Sequence, residues 1–313
     1  MGKIVTSPIA YPGAKTRVTG QILDILPNGI EDWREPFFGG GSVSLAFIQS
    51  KKARNCKRFV VGDLYKEVYY FWKACKDNPK ELVYLIETWW KEYSPNFERL
   101  KSMSVSDKNY NSMYELVRET ESRVLWDWVR TVDVETLSDV ERGARFYLSS
   151  RISFSGVADS GGMSRERFMD FTFSKLNSIY DVSEVLQRIE IYNQSFEETM
   201  KDLDKDKSFV FLDPPYISQE VGHLYGKNGS THNGFPHEKL ASLCKSLDCK
   251  WLMTLDDCVK TRKLYNGCKF AKLYIPYTMT SLVDRENRLN GEELFISNYY
   301  EDNPEEYNSE NLL

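Results

Sequence analysis

One tetrapeptide in the chain has residue types that suggest a specific reaction: Asp213-Pro214-Pro215-Tyr216. It follows the short apolar run Ser208-Phe209-Val210-Phe211-Leu212, which reads as a buried strand of an α/β sheet. Ligands in such folds lie beyond the carboxyl ends of strands, which puts the tetrapeptide at a site rather than in the core. Two prolines cannot continue a central strand, and the residue before a proline is held extended. The Asp213 carboxylate and the Pro214 carbonyl become adjacent, directed acceptors, a good match for an amine with two N–H bonds. Tyr216 adds a flat face for a planar ring. An exocyclic amine on an aromatic base satisfies all three demands; the plain alternative is a turn carrying an exposed acid.

Two other strand ends carry compatible chemistry. Glu35-Pro36-Phe37-Phe38-Gly39-Gly40-Gly41-Ser42 places a glycine-rich turn before the helix-like run Val43 to Ile48, where backbone can approach a ligand closely. It lacks the dinucleotide spacing, because Ser44 occupies the place of the third glycine. Phe59-Val60-Val61-Gly62-Asp63 is a second strand ending in an acid, where α/β folds keep a carboxylate for ribose hydroxyls. Upstream, Tyr11-Pro12-Gly13-Ala14-Lys15 is a loop with an aromatic and a cation ahead of a helix, a weaker signal for an anionic ligand.

The elements that must position these groups alternate between strand and helix, with one interruption. From Leu64 the spacing turns helical: Leu64, Val68, Phe71 and Cys75 share a face, a helix over Glu81–Tyr93 follows, residues 94–112 read as loops, and another helix covers Met113–Val129. Ser138 to Glu141 forms a capping box for a helix running toward Ser150. The tryptophans here (Trp72, Trp89, Trp90, Trp126, Trp128) read as core. A loop from Ser153 to Ser164 is bracketed by Arg142, Arg145, Arg151, Arg165 and Arg167; phosphate or base contact and a solvated loop fit that composition equally. Alternation resumes with a helix at Asp181–Arg188, a strand at Ile189–Asn193, a helix reaching Asp206 and the strand before Asp213. Then come a long loop over 218–236, a helix at His237–Leu247 and strands at Trp251–Leu255, Lys269–Ile275 and Glu293–Tyr299, the last after an Asn290-Gly291 turn.

Bulk properties exclude several classes. No run of apolar residues is long enough for a transmembrane helix, and Met1 to Ala10 lacks the layout of a signal peptide, so no membrane partner is expected. The six cysteines form no C-x-x-C pair and the chain has three histidines, which points to reduced cysteines in a cytoplasmic protein with no metal centre. The net charge of −5 comes from the acidic segment 301–313, which reads as disordered; the remainder is balanced.

In order along the chain, Tyr11-Pro-Gly-Ala-Lys15, Glu35-Pro-Phe-Phe-Gly-Gly-Gly-Ser42, Gly62-Asp63, Ser195-Phe196, Asp213-Pro-Pro-Tyr216 and Glu293-Leu-Phe-Ile-Ser-Asn-Tyr299 resemble the Dam-type (D12 class, α-group) DNA adenine N6-methyltransferases. The resemblance implies an α/β fold: a Rossmann-like S-adenosylmethionine-dependent methyltransferase sheet (1–72 and 175–300) with an inserted, mainly helical target-recognition subdomain (73–174) and the acidic tail (301–313). It implies S-adenosyl-L-methionine as cofactor, touched by Tyr11, Lys15, Phe37, Gly39, Gly41, Ser42, Asp63, Phe196 and Asp213. It assigns the target adenine to Asp213, Pro214, Pro215 and Tyr216, and contact with double-stranded DNA to Arg142, Arg145, Arg151, Ser155 and Arg165. A restriction endonuclease acting independently is the implied companion. Where the family often carries Asn-Arg-x-x-Tyr-Asn-Gly, this chain has Ser150-Arg151-Ile152-Ser153-Phe154-Ser155-Gly156, so its recognition sequence does not follow from the family. Cytosine-N4 transfer and a catalytically silent DNA-binding module of the same fold are the competing readings; Asp213, where cytosine enzymes more often have serine, favours adenine.

Overall fold

The computed structural model describes residues 4–159, 161–217, 234–273 and 293–299. Seven strands form one sheet: β1 (Asp32–Glu35), β2 (Arg58–Gly62), β3 (Glu190–Tyr192), β4 (Ser208–Leu212), β5 (Lys250–Asp256), β6 (Lys269–Leu273) and β7 (Glu293–Ser297). Their spatial order is β3-β2-β1-β4-β5-β7-β6. The first five run parallel, and β7 is antiparallel to both β5 and β6. The chain builds outward from β1 toward β3, then returns to add β4 on the other side of β1. The order therefore reverses between β1 and β4, and the crevice beyond their carboxyl ends is where such sheets bind ligands.

Strand alternation divides the core in two. In β4, Phe209 and Phe211 face one layer while Val210 and Leu212 face the other. The first layer holds Trp33 stacked on Phe47, with ring centroids 4.1 Å apart, and on Phe209. It continues without a break into the helical region through Phe71, Trp72, Ile86, Trp90, Leu125 and Phe146. The second layer packs Trp251, Met253, Leu255 and Ile296 under the His237–Ser246 helix. Residue 73 lies inside the Lys66–Asp77 helix, whose buried face contributes to the same core on both sides of that point.

Several elements differ from the sequence expectation for identifiable reasons. Residues 94–112 contain the helices Phe97–Ser102 and, from 110, Tyr110–Glu115; Phe97 and Leu100 are buried, Phe97 beside Trp90. The expected Met113–Val129 helix is a continuous helical path to Thr131 with a wide π-type segment at Leu116–Glu121. The helix expected to reach Asp206 is a single turn, Phe196–Thr199, because Asp202 adopts φ 53° and the Asp204 carboxylate caps the amides of Asp206 and Lys207. Trp72, Trp90 and Trp126 are buried, and Trp89 packs on Trp128, as core residues do. The capping box at Ser138 is present in full. The Asn290-Gly291 turn, the 301–313 tail and most of the loop after Tyr216 lie outside the described residues. Within them, no helix is long and apolar enough to cross a membrane, and all six cysteines are free.

Candidate active site

A cavity of about 350 Å³ opens at the crevice beyond β1 and β4, within the range of roughly 300–1,000 Å³ usual for small-molecule sites. Its lining comes from the segments that follow the first four strands, together with Tyr11 to Ala14.

The turn after β1 is pinned from below. The Phe38 amide donates to the Gly62 carbonyl (2.9 Å) and the Trp72 indole donates to the Gly39 carbonyl (2.8 Å). Gly39 (φ 43°) and Gly41 (φ 70°) take left-handed conformations that favour glycine. A Cβ on Gly39 would stand 2.7 Å from the Tyr11 ring, so Tyr11 lies directly against the turn. The Lys15 amide donates to the Ser42 hydroxyl (3.0 Å), tying the N-terminal loop to the start of the next helix.

Asp63, just past β2, accepts one hydrogen bond from the Gly39 amide and one from the Tyr65 amide, both 2.8 Å. Burial outweighs these donors and raises its carboxyl to about 6. Glu35, fully buried at the end of β1, accepts from the Ser44 amide and hydroxyl; burial pushes it up to about 8, with Asp213 adding like-charge repulsion. The cavity thus holds two acids in surroundings that disfavour their charge, a recurrent mark of binding sites.

The apolar wall is a triangle of rings. Phe37 lies 5.9 Å from Phe196 and 5.6 Å from Phe235, and Phe196 lies 5.8 Å from Phe235. Phe37 and Phe196 were expected here. Phe235 was not, because it sits in the irregular segment before the His237–Ser246 helix, where periodicity gives no signal.

At the far end stands Asp213. Its carboxylate accepts from the Thr254 hydroxyl (2.7 Å) and from the Lys15 ammonium (2.8 Å), which also reaches the Gly13 carbonyl and the Tyr216 hydroxyl, each 3.0 Å. Glu293 lies 3.8 Å from the same ammonium. The Ile217 amide donates to Asp256 (2.8 Å), which anchors the chain leaving Tyr216 to β5. Pro214 is buried, while Pro215 and Tyr216 are partly open. Thr254 was not singled out in the sequence, and Glu293 was named there without a site role. A lone threonine in the apolar run Trp251–Leu255 is the signal that marks the first of them.

The expected DNA contacts divide sharply. Arg151 is partly exposed, Ser155 is exposed, and Arg165 is partly exposed beside Glu119 (2.8 Å). Arg142 and Arg145 are buried, at 8% and 5% exposure. Arg142 donates to Glu67 (2.6 Å) and lies over the Tyr70 ring; Arg145 pairs with Asp159 and donates to the Val129 carbonyl (2.9 Å). This corrects the expectation that these two meet DNA. Their helix, Asp139–Ile152, packs so tightly on Lys66–Asp77 that a Cβ on Gly143 would stand 2.9 Å from the Tyr70 carbonyl. That packing turns both guanidinium groups inward.

A parallel sheet with one reversed strand next to its edge, and a ligand cavity at the β1/β4 switch point ending in Asp-Pro-Pro-Tyr, is the architecture of a methyltransferase acting on an amine. Comparison with known proteins gives the particular class. Residues 11–282 match the family of D12 class N6 adenine-specific DNA methyltransferases, and the chain belongs to that family. It is 24% identical over 302 residues to a type II methyltransferase, M1.LlaDCHI, of Lactococcus lactis subsp. cremoris, covering 92% of this chain and 94% of that one. It is 24% identical over 298 residues to a DNA adenine methylase of Haemophilus influenzae (91% of each chain), and 24% identical over 265 residues to a type II methyltransferase, M.CviBI, of Paramecium bursaria Chlorella virus NC1A (83% and 86%).

Proposed function

We propose that the chain moves the methyl group of S-adenosylmethionine to N6 of an adenine drawn out of double-stranded DNA. The observation that carries this reading is the cavity itself: an acid, an aromatic triangle and a glycine turn at one end, and Asp213 at the other. The residues fit such a cofactor. Asp63 uses two backbone donors and keeps further lone pairs for ribose hydroxyls, and the triangle of Phe37, Phe196 and Phe235 suits a flat base. Tyr11 and the turn Gly39 to Ser42 would flank the methionine part, with Glu35 beneath. When bound, the cofactor supplies an electrophilic methyl group on sulfur.

Adenine N6 is a weak nucleophile because its lone pair is delocalised into the ring. Asp213 and the Pro214 carbonyl accept the two N6–H bonds, which favours a more tetrahedral nitrogen and localises the pair. Thr254 keeps Asp213 aimed while this happens. Lys15 also bonds Asp213, and the carboxylate keeps further lone pairs for the amine beside these two donors. Tyr216 gives the base a stacking face, worth roughly 1–3 kcal/mol toward extrusion from the duplex. Catalysis is then positioning and electrostatics, without a covalent nucleophile.

On the DNA side, the helical region 73–174 serves as the target-recognition part, with Arg151, Ser155 and Arg165 facing the duplex. Phe154, 56% exposed beside Ser155, presents an aromatic ring to the same side. The type II naming of two relatives supports an independently acting restriction endonuclease as companion, and DNA as substrate supports a cytoplasmic location. The test is methyl transfer from labelled S-adenosylmethionine to unmethylated DNA, followed by nucleoside mass spectrometry and sequencing of modified positions. N6-methyladenine in one short motif is the expected result; labelled cytosine, or cofactor binding without transfer, overturns it.

A further inference from the structure

The loop between Ser153 and Ser164 is built from residues that do not order themselves. It contains Gly156, Gly161 and Gly162, and Ser155 (φ 51°) and Ala158 (φ 34°) hold left-handed conformations that non-glycine residues keep only when their surroundings over-determine them. Its base is closed by two backbone bonds, Phe154 amide to Gly162 carbonyl (2.9 Å) and Ser164 amide to Ile152 carbonyl (2.7 Å).

Its middle is held by a buried side chain. Asp159, 7% exposed, turns into the protein, accepts from the Tyr65 hydroxyl and pairs with Arg145. Around that pair lie Glu67, 3.7 Å from Arg145, then Arg142 on Glu67 and Glu135 3.5 Å from Arg142. Arg130 reaches the carbonyls of Ala158 and Asp159 from the other side. A second fixing point is Gly156, where any Cβ would stand 2.3 Å from the Ala10 carbonyl, the acceptor that also takes the Ser150 hydroxyl (2.7 Å).

Both fixing points lead to the pocket. Ala10 precedes Tyr11, and the Tyr65 amide is one of the two donors on Asp63. Tyr65 therefore bonds the cofactor-side acid through its backbone and the loop through its ring. Burying so many charges is weak evidence for stability, because desolvation offsets much of the attraction; such networks are better explained where one arrangement must be specified. The arrangement specified here leaves Phe154 and Ser155 outward and exposed.

We propose that Tyr65 and Arg145, acting through Asp159, are positioning residues that hold the target-reading loop in register with the methyl-transfer pocket and so govern sequence selectivity without touching DNA. This rests on the reading that residues 153–164 face the duplex. Slower hydrogen exchange of the wild-type 153–164 amides on adding the duplex tests that reading; the positioning role is tested by Tyr65→Phe, which removes one hydroxyl and keeps the ring against Phe146, and by Asp159→Asn. Three quantities are compared with wild type: S-adenosylmethionine affinity without DNA, hydrogen exchange of the 153–164 amides, and kcat/KM on an unmethylated duplex carrying the motif that wild type modifies against duplexes with one base pair changed. The expected result for Tyr65→Phe is cofactor affinity within about twofold, loop amides exchanging at least about tenfold faster, and selectivity reduced about tenfold through KM, with larger changes in Asp159→Asn. Unchanged loop exchange, or unchanged selectivity in a variant whose loop has loosened, overturns the proposal.

Discussion

Charge is buried in two places in this molecule, and the two are satisfied differently. In the helical region, Arg142 and Glu67, and Arg145 and Asp159, answer one another within the protein. At the sheet's carboxyl edge, Asp63 and Glu35 meet, among the described residues, backbone amides and one serine hydroxyl, and burial lifts both carboxyls toward neutrality. Asp213 borrows a cation, Lys15, from the N-terminal loop. A buried charge with a permanent partner specifies structure; one with a provisional partner awaits a ligand. Five basic residues around one loop look alike in the sequence, yet two of them belong to the first kind.

The largest effect that would sharpen this contrast is at Asp213. Asp213→Ala should lower kcat by roughly 10³-fold, the scale of lost transition-state positioning. S-adenosylmethionine affinity should stay within about twofold by calorimetry, and methyl transfer near the wild-type rate would break the contrast on the pocket side. On the helical side, Arg142→Ala removes the hydrogen-bonded partner of buried Glu67, leaving it Arg145 at 3.7 Å, and should cost about 3 kcal/mol in urea unfolding. Arg165→Ala, with its half-open pair to Glu119, should cost less than about 1 kcal/mol while weakening DNA binding and flattening its salt dependence. If the two arginines behaved alike, the division would fail.

Smaller effects concern the raised acids. Ribose hydroxyls donate to an ionised carboxylate, so cofactor affinity should weaken as pH falls below about 6; Asp63→Asn should bind roughly tenfold more weakly and lose that dependence, as titrations between about pH 5 and 8 would show. Glu35 acts in the opposite sense on the ligand-free fold. Its folded pKa of about 8 exceeds the ordinary carboxyl value of 4.5, so the folded state holds its proton more tightly. The stability this contributes is complete below about pH 4.5 and is lost as pH rises toward about 8. Glu35→Gln should flatten that decline in thermal unfolding across the window, a shift of a few degrees; an unaltered slope would mean that Glu35 is satisfied as a charge.

The elements with strong local pattern were legible before the structure. The strands ending at Gly62 and Leu212, and the helix opened by the Ser138 capping box, match within a residue or two. Misreadings fell where a local conformation or a distant contact decides. Asp202 in a left-handed conformation stopped a helix that composition allowed, and Phe97 and Leu100 made a helix where composition suggested loop. Phe235 joined the pocket, and Thr254 joined Asp213, from segments with no motif.

By itself the sequence determined which chemistry is available: directed acceptors at Asp213-Pro214, a flat face at Tyr216, a glycine turn and an acid at Asp63. These follow from covalent constraints and from strand ends, which are local properties. Only the tertiary structure decided who meets whom. Lys15 reaches Asp213 across 198 positions of chain, and Arg145 finds Asp159 rather than phosphate. The order β3-β2-β1-β4 gathers four strand ends, from Glu35 to Leu212, into one crevice. Side-chain partnership depends on distance and burial after folding, and neither is written in the spacing of residues along the chain.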